Sequence, residues 1–116
     1  MHIVCIPVED DRGLRAPVAR GLDAAPVLLL VDTTTLAFRA VSNAPQRRAA
    51  RGCAPCEALD DVAVDAVIVA SIEADALARL ARRRMPVYHG ARGTAATALA
   101  DFLSGRLRPL AAEPER

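Results

Sequence analysis

The order of its short apolar runs restricts the fold of this chain more than any other feature. Three strand-like runs come first, with only loop or turn residues between them: His2–Val8, Val27–Asp32 and Leu36–Ser42. The first run is rich in β-branched residues and is followed by acidic ones, which is typical of a strand buried on both faces. The second and third runs flank Thr33–Thr35 and are predicted to form a β-hairpin.

Helical and strand-like patterns alternate in the rest of the chain. The predicted elements are a helix from Cys53 to about Leu59, a strand at Asp65–Ala70, a helix from Ser71 to near Arg84, a strand at Pro86–His89 and a helix from Thr94 to about Ser104. Ser71 and Thr94 are the expected N-caps, and Gly105 is the expected stop of the last helix. This order predicts an α/β fold, with a mixed sheet that carries helices on its faces.

The length of 116 residues suits one domain with a single core. We predict that the domain covers residues 1–107 and that residues 108–116, which contain two prolines, form a frayed tail. No apolar run approaches the roughly 20 residues that a membrane span needs. The acidic N-terminal region does not resemble a signal peptide, so a cytoplasmic location is expected.

Composition argues against a nucleic-acid binder. Aromatic residues make up only 3% of the chain, which leaves little for stacking on bases. The net charge of +1 supplies no field that would attract nucleic acid or an anionic membrane. We therefore expect neither as a partner.

Two loops are predicted to form the functional edge of the sheet. Residues 10–26 contain glycine and proline at several points and show no sustained period, which indicates a long ordered loop. Residues 43–52 are polar and basic, and Arg47, Arg48 and Arg51 there have no apolar stripe opposite them. These arginines either assist an anionic cluster or an acidic partner, or belong to a solvated loop.

Cys53 and Cys56 lie at the start of a predicted helix, where the helix dipole favours a thiolate. A zinc or iron–sulfur site usually needs about four protein ligands, so this pair would need further ligands from elsewhere. The alternatives are two unligated thiols, or a thiol–disulfide site of the thioredoxin type. Against the last, the preceding residues are predicted to be loop rather than strand.

Other polar residues have simpler interpretations. Cys5 alternates with its neighbours in the first strand and is predicted to be an inert core residue. His89 ends the last predicted strand, where open α/β sheets place ligands, and is a candidate metal ligand or a structural residue. Glu9, Asp10, Asp32 and Glu73 follow strand ends and are predicted to be solvated turn residues rather than a two-metal site.

Four segments resemble the nitrogenase iron–molybdenum cofactor biosynthesis family, which includes NifX and the C-terminal region of NifB: IPVEDDRGLRAPV, AAPVLLLVDTTT, VDAVIVASI and MPVYHGARGTAATALADFLSGRL. The resemblance implies a ribonuclease-H-like three-layer α/β/α domain. Its sheet would have five strands in the order 3-2-1-4-5, with strand 2 antiparallel. It also implies a carrier without turnover of its own, which binds iron–sulfur or iron–molybdenum cofactor precursors and passes them to assembly or acceptor proteins.

The chain departs from the family pattern at two points. Gly21 stands where the pattern has a histidine, and Ala70–Glu73 replaces a Gly-Gly-x-Gly turn. The site is therefore predicted at Cys53 and Cys56, with Arg47, Arg48 and Arg51 around the cargo and His89 as a further metal ligand. A homodimer would bring two cysteine pairs together. The alternatives are a cofactor-free interaction or regulatory module of the same fold, and a small thiol-redox protein.

Overall fold

A computed structural model of the chain describes residues 3–22, 25–42, 64–82 and 84–110. Its strands are β1 (Ile3–Val8), β2 (Val27–Asp32), β3 (Phe38–Ser42), β4 (Ala66–Ile68), β5 (Val87–His89) and β6 (Arg108–Leu110). Its helices are α1 (Ala74–Arg82) and α2 (Ala95–Leu103), and a single 3₁₀ turn lies at Gly13–Arg15. The predicted helix from Cys53 to Leu59 lies outside the described residues.

The strands form one open mixed sheet in the order β3-β2-β1-β4-β5-β6. β1 pairs antiparallel with β2 and parallel with β4, and β4 pairs parallel with β5. β2 and β3 form the expected antiparallel hairpin. The α/β class, the order of the first five strands and the antiparallel direction of the second are confirmed.

The sixth strand was not expected. Arg108–Leu110 pairs antiparallel with β5, and Leu107 just before it is buried. The prediction of a frayed tail is therefore wrong for residues 108–110. Pro109 suggested irregular chain, but proline is tolerated in an edge strand, where its missing N–H faces no neighbouring strand.

Alternation along the strands divides the core between the two faces of the sheet. Val4 and Ile6 of β1 pack in one cluster with Ala98 and Leu99 of α2. Cys5 packs in the other cluster with Leu80 of α1. Successive side chains of a strand point to opposite faces, so the two clusters lie on opposite faces of the sheet. Each helix therefore covers one face. Among the described helices, none is long and apolar enough to cross a membrane.

The two predicted helix starts differ in outcome. Thr94 is the N-cap of α2, and its side chain accepts a hydrogen bond from the Thr97 N–H. Gly105 follows the helix with a φ of +76°, as its role as a stop requires. Ser71 is not an N-cap, because α1 begins only at Ala74.

Aromatic contacts help to fasten the outer elements to the sheet. Tyr88 of β5 meets Phe102 of α2 edge to face, with ring centroids 5.0 Å apart. At the β3 end of the strand order, the Phe38 ring lies over Gly13, and a Cβ atom on Gly13 would come within 2.7 Å of this ring. Gly13 also has a φ of +68°, so both space and backbone require glycine there.

We predict that β6 stabilises the domain. A chain that ends at Leu107 should unfold with a free energy about 2 kcal/mol lower than a chain that ends at Leu110, because the ladder to β5 is lost. Urea unfolding of the two truncated chains measures the difference, which belongs to β6 alone. Equal midpoints and slopes would contradict the prediction.

Candidate functional site

The parallel strands β1, β4 and β5 end at the same edge of the sheet, which we call the carboxyl edge. Three connections leave from it: residues 9–26 after β1, residues 69–73 after β4 and residues 90–94 after β5. Open α/β sheets bind ligands outside the carboxyl ends of their strands. A ligand site is therefore expected at this edge.

The connection after β1 crosses the carboxyl edge and pairs with the connection after β5. The Val18 N–H donates to the Gly93 carbonyl at 2.9 Å, and the Ala95 N–H donates to the Ala16 carbonyl at 2.8 Å. The Ala19 N–H also returns to the Pro7 carbonyl of β1 at 2.9 Å. These backbone bonds hold residues 16–19 in place, so the predicted ordered loop is confirmed for this part.

The same loop also contacts the connection after β4. The Ser71 hydroxyl donates to the Arg20 carbonyl. The Leu22 N–H donates to Oε1 of Glu73 at 3.0 Å, and the Glu73 carboxylate lies directly against Gly21. One loop thus joins the carboxyl ends of all three parallel strands.

These contacts correct two interpretations of the sequence. Glu73 is half-buried and accepts a backbone N–H, so it is not a solvated turn residue. Ser71 bonds the loop rather than a helix end. The two departures from the family pattern, at Gly21 and at Ala70–Glu73, therefore lie in contact. No local pattern could have shown this, because 51 positions separate the partners.

The other acidic residues behave as expected of turn residues. Antiparallel pairing places Asp32 opposite Ile3, at the edge away from Val8. Its carboxylate accepts the N–H groups of Thr34 and Thr35. Hydrogen bonds from the Arg12 side chain and backbone hold the pKa of Asp10 below its usual value. The sheet thus separates these carboxylates, as the argument against a two-metal site requires.

Cys5 is fully buried, and burial raises the pKa of its thiol to about 12. Loss of solvation disfavours the thiolate, which is the form that binds metals and reacts. The prediction of an inert core residue is confirmed.

His89 ends β5 at the carboxyl edge and is half-buried. Within the described ranges, no three His, Cys, Asp or Glu side chains lie together as a metal site would need. His89 alone is too little for a closed site. Its role as a metal ligand stays a prediction.

The principal predicted site residues, Cys53, Cys56, Arg47, Arg48 and Arg51, lie outside the described residues. The chain leaves the described part at Ser42, which pairs with Val27, itself paired with Val8. β3 therefore ends at the carboxyl edge. The basic segment 43–52 follows from that edge in sequence.

Two cavities lie toward the opposite edge of the sheet. One of about 350 Å³ is lined by Val4, Asp65, Ala66, Pro86, Tyr88 and Phe102. One of about 260 Å³ is lined by Ile3, Leu30, Asp32, Ala37, Phe38 and Arg39. Neither lining contains a cysteine or histidine, so neither cavity offers a soft metal ligand.

A family model described as dinitrogenase iron–molybdenum cofactor matches residues 2–105.

The fold is similar to three solved structures. The apo form of the orange protein from Desulfovibrio gigas has a TM-score of 0.84 at 21% identity, with 99% of this chain and 98% of that chain covered. A Thermotoga protein proposed to be NifB has a TM-score of 0.78 at 22% identity, with 99% and 98% covered. A Methanocaldococcus jannaschii protein proposed to be a dinitrogenase has a TM-score of 0.72 at 13% identity, with 96% of each covered. The comparison with curated proteins finds no match.

We predict that Cys5 makes the fold less stable at high pH. Below a pH of about 9 its thiol is protonated in both states, and above that pH the unfolded chain ionises first. The free energy of unfolding therefore falls as the pH rises from 9 toward 12. Between pH 7 and pH 10 the parent should lose about 1.4 kcal/mol more unfolding free energy than Cys5→Ala.

Urea unfolding of both proteins at the two pH values provides the test. Cys53 and Cys56 are present in both, so their titration cancels in the comparison. Identical pH dependence of the two proteins would show that the Cys5 thiol is not protected by burial.

Proposed function

The chain belongs to the dinitrogenase iron–molybdenum cofactor family, and from this we propose that it binds iron–molybdenum cofactor, or an iron–sulfur precursor of it, as cargo. The cargo would bind at the carboxyl edge and pass to metallocluster assembly or acceptor proteins in the cytoplasm. In this proposal the domain catalyses no reaction of its own. It offers a surface that holds the cargo and releases it on contact with a partner.

The observation that best supports this proposal is the fastening of one loop across the ends of three parallel strands. Such an edge is ordered before a ligand arrives, which lowers the entropic cost of binding. Arg20 in the loop and Arg92 in the connection after β5 are both exposed there. Their charges would favour an anionic cluster.

The described residues supply few ligands for a metal. Within the part of the chain that the structure describes, no three-ligand group is present, and the Cys5 thiol is buried and protonated. The soft ligands of the proposal are therefore Cys53 and Cys56, with His89 as a further metal ligand. Arg47, Arg48 and Arg51 would offset the negative charge of thiolates and cluster.

One copy of the chain offers a single cysteine pair, which is incomplete for an iron–sulfur cluster. A symmetric homodimer would bring two pairs together and supply four thiolates. Cluster binding and dimerisation would then depend on each other.

We expect anaerobic reconstitution with iron and sulfide to give a coloured protein that contains iron. Cys53→Ala or Cys56→Ala should abolish the bound iron and shift the protein toward the monomer, because each removes a thiolate. Visible absorption, metal analysis and sedimentation velocity measure the three properties. Cys5→Ala is the matched control and should leave all of them unchanged.

Other outcomes would favour the other functions. If a variant with both Cys53→Ala and Cys56→Ala still binds iron like the parent, the cysteine pair does not hold the cluster. If the parent itself binds no iron, a cofactor-free interaction module becomes the better interpretation. Disulfide-reductase activity that disappears with Cys53→Ala would instead indicate a thiol-redox protein.

A further inference from the structure

We infer that Glu73 is a positioning residue for the carboxyl edge, and that Gly21 is glycine because the Glu73 carboxylate occupies the space of its side chain. The contact itself is independent of function. Its consequence for cargo rests on the proposed function.

A side chain at residue 21 would have to displace the Glu73 carboxylate. A Cβ atom on Gly21 would lie 2.5 Å from Oε2 of Glu73, 2.9 Å from its Cδ and 3.0 Å from its Oε1. The other described glycines, Gly13, Gly90, Gly93 and Gly105, all have positive φ values, and Gly21 does not. The space that the carboxylate takes up, rather than the backbone conformation, therefore favours glycine at this position.

The carboxylate also bonds the next residue of the loop. Oε1 of Glu73 accepts the Leu22 N–H at 3.0 Å. The Leu22 side chain is buried in the same core cluster as Ala76 and Leu80 of α1. Glu73 thus fixes the point where the loop turns inward to the core.

The two attachments of the loop differ in kind. Residues 16–18 are held by backbone groups of Gly93 and Ala95, which side-chain substitutions other than proline leave in place. Residues 20–22 are held by the side chains of Ser71 and Glu73. Arg20, exposed at the carboxyl edge, belongs to the second attachment, two residues before the Leu22 N–H that Glu73 accepts. Its position relative to the cargo therefore depends on Glu73.

The first test measures the contact itself by hydrogen exchange of the Leu22 amide. Glu73→Ala should speed that exchange about tenfold, because the acceptor is lost. Glu73→Gln keeps an oxygen acceptor and should stay close to the parent. Asp75→Ala removes the same charge from an exposed position in the first turn of α1 and should have no effect. Unchanged Leu22 exchange in Glu73→Ala would overturn the inference.

A double-mutant cycle tests the steric part. Gly21→Ala should lower the urea midpoint of the parent, because the added methyl group displaces the carboxylate. The same substitution in the Glu73→Ala background should cost much less, since the space is then free. Equal cost in both backgrounds would show that Glu73 does not dictate the glycine.

The last test asks whether the contact serves the cargo. With the parent reconstituted from iron and sulfide, Glu73→Ala should release iron to a chelator several-fold faster, while Glu73→Gln and Asp75→Ala release it like the parent. An unchanged release rate, with faster Leu22 exchange, would refute the positioning role. A parent that binds no iron would refute the proposed function instead, and the exchange and cycle results would still decide the contact.

Discussion

The rest of this structure depends on β1. This strand is buried on both faces and pairs with another strand on each side. Val4, Cys5, Ile6 and Val8 are fully buried, and the strand pairs antiparallel with β2 and parallel with β4. A slip of one residue would exchange the side chains of the two core clusters, so the register is strongly specified. The direction of β1 also determines the position of the carboxyl edge, because β4 and β5 run parallel to it. The direction of β1 therefore also places the loops that we propose for cargo binding.

The loop after β1 is attached to the carboxyl edge in two different ways. Backbone bonds to Gly93 and Ala95 secure one part of the loop after β1. Side chains of Ser71 and Glu73 secure the next part, residues 20–22. Backbone attachment preserves the fold through sequence change, whereas side-chain attachment can be adjusted by substitution. A single substitution can therefore release the second attachment while the first is kept.

Most of the fold could be predicted from the sequence, because strands and helix ends are signalled locally. The alternating apolar runs identified five strands, and Thr94 and Gly105 gave the ends of α2. Proline at 109 concealed β6, since the local signal of an irregular chain outweighed pairing with β5. The contact of Gly21 with Glu73 was beyond prediction for another reason. It joins residues far apart in the chain, and a glycine that is selected for space looks like any loop glycine. The cysteine pair and the three arginines remain predictions from the sequence.

The edge-to-face pair of Tyr88 and Phe102 gives the protein a built-in optical probe. The chain has no tryptophan and a single tyrosine. Tyr88 lies in β5, between β4 and β6, and its ring meets Phe102 of α2. Tyrosine fluorescence and the tyrosine band of near-ultraviolet circular dichroism therefore report one place in the molecule, the contact of α2 with the sheet. Loosening of that helix can be followed without a label, separately from the far-ultraviolet signal of the whole backbone.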